Sequence, residues 1–177
     1  MDMTQLWQSV KDTVLKDGEH IPMIYAEMPE EIVLVAVVGD TKTTSEKYRF
    51  LFNAGRNVGM EHKGKELISL CFVVEAWVST LRPGEQRKYA PSKDPKRREA
   101  IIAQSMDLTE KPVKQMVYMA EMIRDGSGAL IDLLPDNEPI KAEYTLLPPF
   151  LAGWLSASYS SDELAEMAMQ ELAKKKR

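Results

Sequence analysis

Apolar positions along the chain fall into two periods, one helical and one alternating. Met3, Leu6, Trp7, Val10 and Val14 recur at helical spacing, so residues 3 to 16 read as an amphipathic helix that Asp17-Gly18 ends. The next stretch, "IPMIYAEMPEE", carries prolines at 22 and 29 and reads as irregular. "IVLVAVVG", residues 32 to 39, is a continuous apolar run rich in β-branched side chains. It is too short for a buried helix and reads as a central strand covered on both faces. Thr43 to Glu46 has the pattern of a capping box, opening a helix to about Lys63. The inner stripe of that helix is Tyr48, Leu51, Phe52, Gly55, Val58, Gly59 and His62. Two glycines on an apolar stripe cost about 1 kcal/mol each against alanine, so they predict a close approach to the sheet or to another helix.

"LISLCFVVEAWVSTL", 67 to 81, is the strongest strand. Alternation puts Ile68, Leu70, Phe72, Val74, Ala76 and Val78 on one face, and Ser69, Cys71, Val73, Glu75, Trp77 and Ser79 on the other. A basic loop, 82 to 97, leads to a returning antiparallel strand over 99 to 106. Residues 113 to 124 fit both periods. The turn "DGSG" at 125 to 128, followed by "ALIDLL", is a hairpin signal and decides for strand. "LPPF" breaks the chain at 147 to 150, Phe150 to Ala157 reads as a short helix carrying Trp154, and Ser160 to Glu163 as a second capping box opening a helix to about Lys174. The order implies a single α+β domain, 1–177. Its sheet is largely antiparallel, of about five strands, with helices at both ends and one crossover helix after the first strand. The first two strands, joined through that helix, are expected to run parallel.

Composition adds exclusions. With 44% hydrophobic and 28% charged residues the chain is ordinary for a globular protein. One cysteine, Cys71, excludes an intramolecular disulfide and a thiolate zinc cluster, and its apolar strand setting marks an inert thiol. Only His20 and His62 offer imidazole, so no metal centre and no cofactor is expected. No apolar run approaches the ~18 residues that span a membrane, and the acidic, amphipathic start is unlike a signal peptide. A cytoplasmic protein is expected, and a prokaryotic or phage origin fits. Walker, dinucleotide-binding and zinc-protease motifs are absent. Whether the protein is an enzyme stays open at this point.

Charge is concentrated. Residues 82 to 98 hold seven basic and two acidic side chains, a net +5 in a chain of net charge −4. Within "APSKDPKRREA", 90 to 100, three readings compete. Prolines with Ser92 and Asp94 make turns, leaving Lys93 and Lys96 in solvent. Alternatively Ser92, Lys93 and Lys96 bind phosphate, or the basic loop binds nucleic acid, although Tyr89 is its one stacking aromatic. In the third, Asp94 and Arg97 or Arg98 join Glu75 in a small active site. Glu75 interrupts an apolar strand, and a carboxylate there needs a partner. An ion pair with Arg97 or Arg98 is expected. A raised pKa would instead suit a general acid or base. Asp40 belongs either to such a site or to the turn before the second helix.

"VVEAWVSTL" followed by "PSKDPKRREAII" resembles a group of uncharacterised prokaryotic and phage proteins with a Glu-Ala-Trp strand and a Pro-Ser-x-Asp-Pro-x-Arg-x-Glu loop. The resemblance covers about residues 70 to 102. It implies that Glu75, Trp77, Pro91, Ser92, Asp94, Pro95, Arg97 or Arg98, and Glu99 form one unit, and it brings no function. The two variable positions are often acidic in that group. Lys93 and Lys96 stand there in this chain, which weakens a nucleic-acid role for the group.

The leading reading is therefore a non-catalytic binding or protein-interaction module that self-associates as a homodimer. Eleven methionines and three tryptophans supply adaptable apolar surface for it. The alternatives are a small hydrolase-like or phosphate-ligand enzyme using Glu75, Asp94 and Arg97 or Arg98, and nucleic-acid binding through 82–98. A flat apolar patch favours the first, and a concave pocket holding those residues favours the second.

Overall fold

Asp2 starts the first helix, α1 (Met3–Asp17), by accepting the Thr4 and Gln5 N–H groups on its side chain. Gly18, at φ 80°, ends it in the left-handed conformation that glycine adopts without strain. The computed structural model describes residues 1–38, 43–79, 86, 88–135, 139–141, 145–160 and 163. Its strands are β1 (Met23–Glu27), β2 (Ile32–Ala36), β3 (Ser69–Val78), β4 (Arg98–Asp107), β5 (Lys114–Arg124), β6 (Leu130–Pro135) and β7 (Ile140–Lys141). The other helices are α2 (Thr44–Glu61) and α3 (Leu147–Ser158).

The protein is α+β, with one open antiparallel sheet in the order β2-β1-β3-β4-β5-β6. The two-residue β7 also pairs β5, next to the β6 segment. β3 and β4 pair antiparallel along their whole lengths, from Ser69↔Asp107 to Val78↔Arg98, as the sequence predicts. Of residues 113–124, all but the first form a strand, β5. The Asp125 carboxylate accepts the Ser127 and Ala129 N–H groups to close the β5–β6 turn.

Strand alternation sends Leu70 and Phe72 to one face, where α2 and α3 pack through Leu51, Val58, Leu147, Phe150 and Trp154. Cys71 and Val73 go to the other face, under Leu6, Val10 and Val14 of α1.

Two expectations for the first half need correction. "MIYAE" is a strand, β1, although its flanks read as irregular: the prolines at 22 and 29 bound the strand rather than break it. β1 inserts between β2 and β3, so β2 and β3 run parallel, as expected, but are not neighbours. β2 is consequently an edge strand rather than a central one. Val33 and Val35 point inward, while Ile32, Leu34 and Ala36 are exposed. An all-apolar run does not distinguish a strand buried on both faces from one whose second face is uncovered.

Gly55 and Gly59 mark a close approach to a helix. A Cβ on Gly55 would meet the Phe150 carbonyl oxygen at 2.0 Å, and one on Gly153 would meet that of Phe52 at 2.0 Å. α2 and α3 are thus locked backbone to backbone. "LPPF" starts α3 rather than breaking the chain, because proline fits a helix's first turn, where no amide is needed. Ser160 and Glu163 exchange the two capping-box hydrogen bonds. The helix expected beyond them, Asp40, and residues 82–85 and 87 of the basic loop lie outside the described residues. Among those described, no helix is long and apolar enough to cross a membrane.

Candidate functional site

Glu75 sits on the α1-covered face with Val73 and Trp77, as strand alternation requires. Its partner is not an arginine of the returning strand. Glu75 Oε1 accepts the His20 backbone N–H at 2.5 Å, just after the turn that ends α1. Register explains why the expected pairs fail. Arg98 stands opposite Val78 and projects to the far face, where its Nη1 meets Glu121 Oε2 at 2.6 Å. The Arg97 guanidinium lies over the Trp77 ring, 4.6 Å from its centre, a cation–π contact. Opposite Trp77, Glu99 binds Arg124 at 2.5 Å. Burial pushes the Glu75 carboxyl above its ordinary range. The His20 N–H opposes this, Glu99 adds to the rise, Arg124 counters it and Glu19 adds again.

His20 completes this cluster and had no signal in the sequence. It is buried, and its Nδ1 has no hydrogen-bond partner among the described residues. Burial lowers its pKa, against a backbone hydrogen bond at Ile21 that raises it.

Of the residues the sequence singles out, Glu75, Trp77, Arg97 and Glu99 thus share one face, while Arg98 faces away. Asp94 closes its own turn, accepting the Lys96 N–H at 2.8 Å on Oδ1 and the Arg97 N–H at 3.0 Å on its carbonyl. Ser92, Lys93 and Lys96 are exposed, the two lysines as predicted. Burial drives the Cys71 thiol up to about 12, an inert thiol at neutral pH. Among the described residues no His, Cys, Asp and Glu cluster could hold a metal ion.

A second surface lies on the same face, at the β1–β2 end of the sheet. α1 packs over β3 to β6 and leaves the β1–β2 end of its face uncovered. There Ile21 is 53% exposed, Ile32 52%, Leu34 58% and Val38 67%. These residues share a face. Leu34 stands opposite Tyr25 and Ala36 opposite Met23, and the same register carries Ile21 to Val38. The backbone is open as well. Val37 N–H donates to Pro22 and Glu31 C=O accepts from Met28, so odd-numbered residues bond to the β1 side. The N–H and C=O groups of Ile32, Leu34 and Ala36 therefore point outward. Among the described residues no strand pairs that edge.

Sequence reasoning missed this patch, because the apolar run of 32–39 is what a fully covered strand also shows. Comparison with protein-family models, with curated proteins and with solved structures returns no match.

Proposed function

We propose that the protein is a non-catalytic interaction module that self-associates through β2. The observation that carries this reading is the coincidence, on Ile32, Leu34 and Ala36, of outward main-chain hydrogen-bonding groups and exposed apolar side chains. Natural edge strands are guarded by charge, proline or a bulge, and β2 has none of these. An edge of this kind takes an extended strand.

The partner is a second copy, paired antiparallel. About a two-fold axis at Leu34, Leu34 faces its own equivalent and Ile32 faces Ala36, so every outward group of the strand is satisfied. Charge favours the same arrangement. Glu30 and Glu31 precede the strand, and antiparallel pairing places them at opposite ends of the joint, whereas parallel pairing would set like charges side by side. The exposed faces of the two copies then merge into one apolar surface, and the two sheets become continuous.

The catalytic alternative draws no comparable support, since Arg98 is turned from Glu75 and Asp94 is occupied in its own turn. The nucleic-acid alternative loses Arg97 to Trp77 and Arg98 to Glu121. Amide hydrogen exchange tests the reading. Protection of Ile32, Leu34 and Ala36 should rise with protein concentration. Protection independent of concentration would contradict it.

A further inference from the structure

The helical face carries a cavity distinct from the β2 edge. α2 is fixed to α3 through Gly55, Gly59 and Gly153, but its first six residues, Thr44 to Arg49, are all exposed. Its N-terminal turns therefore stand clear of the sheet. The space beneath them is a pocket of about 220 Å³. Phe72 and Val74 of β3 form its floor, Pro22 and Val37 one wall, Phe50 and Leu51 its roof, and Leu146 another wall. Lys47, on the first turns of α2, is the one charged side chain among the described lining residues.

We infer that this pocket binds a small amphiphilic anion, a carboxylate on an unbranched apolar chain of medium length. Among the described lining residues little is offered for a polar ligand to hydrogen-bond. The amide of Leu146, a lining residue, already donates to Gln104 Oε1 at 2.8 Å. An apolar body suits such walls, and a single cation selects a single negative charge at one end. The pocket lies just below the roughly 300–1,000 Å³ usual for drug-sized ligands, which limits the occupant to a chain of no more than medium length.

Octanoate is the probe, with octanol and octylamine as charge controls, titrated calorimetrically into the full chain. Octanoate should bind with saturation, octanol about fivefold more weakly, the worth of one exposed charge pair, and octylamine more weakly still. Lys47→Glu should reduce octanoate affinity to or below that of octanol. Val74→Trp, which fills the floor, should abolish binding, while Leu34→Glu on the β2 edge should leave it unchanged. Equal binding of the three probes, or loss in Leu34→Glu with retention in Val74→Trp, overturns the inference. Should Val74→Trp fail to fold, amide shifts on titration of the wild-type chain decide. Shifts centred on Val37, Lys47, Phe50 and Val74 support the pocket, and shifts confined to Ile21, Ile32 and Leu34 refute it.

Discussion

The α2–α3 seam and the β2 edge are both built from small or apolar residues, and they differ in what those residues meet. At the seam, Gly55, Gly59 and Gly153 meet backbone at distances that leave no room for a methyl group. At the edge, more than half of the Ile32 and Leu34 surface is left uncovered by the described residues, and their main-chain groups point outward. Close packing makes the first region intolerant of added atoms. The second tolerates polar change in the isolated chain, because little is buried there to lose. A region can therefore be apolar for stability or for association, and the contact made by each side chain separates the two.

The sharpest way to break this contrast is to add one methyl group at the seam. Gly153→Ala should cost about 3 kcal/mol, the upper range for overpacking, because the obstacle is the Phe52 carbonyl, which cannot rotate away. Gly126→Ala, with nothing within 4 Å, should stay within about 0.5 kcal/mol. Urea denaturation of the two variants measures both. Equal effects would dissolve the seam as a special region.

A smaller effect is expected at Glu75. With no arginine pair to break, Glu75→Ala should cost about 1 kcal/mol, the worth of the one hydrogen bond from His20. Glu75→Gln keeps an acceptor and should cost less. The pH dependence of this cluster has two opposing parts. His20 has a lowered pKa in the fold, so the unfolded chain takes its proton first, and stability is lost as pH falls below 6.5, the ordinary value for histidine. Glu75 has a raised pKa, so the folded chain takes its proton first, and stability is regained as pH falls through that raised value toward 4.5. His20→Phe should remove the loss just below 6.5, seen as urea midpoints that no longer fall there. An unchanged slope would show that His20 does not govern it.

The smallest effect belongs to the basic loop. Replacing Lys93 and Lys96 together by Glu should change stability by no more than about 0.5 kcal/mol, since both side chains are exposed.

Much of this was legible in the sequence, and the rest failed for identifiable reasons. The faces of β3, its pairing with β4, the Thr43 capping box and the glycine approach all follow from local periodicity and cap chemistry. β1 was hidden because five residues between two prolines give too short an alternation to register. Its insertion then turned β2 from a central strand into an edge, a change that periodicity within β2 does not encode. The partner of Glu75 was misplaced for a related reason. The expectation followed sequence proximity across a hairpin, whereas the pleat turns Arg98 to the other face and the chain after α1 supplies His20. The exposed patch needed tertiary structure, since only the extent of α1 over the sheet decides what remains uncovered.

The central claim is that β2 is the joint between two copies of the chain, and sedimentation equilibrium of the wild type beside Leu34→Glu tests it most directly. The substitution places a carboxylate opposite its own equivalent at the proposed two-fold axis, while the isolated chain should keep its stability within about 0.5 kcal/mol. The account predicts a concentration-dependent dimer for the wild type at high micromolar concentration and a monomer for Leu34→Glu, with matching thermal stability at low concentration. A wild-type chain that stays monomeric at high micromolar concentration, or a Leu34→Glu chain that dimerises as readily as the wild type, would contradict it.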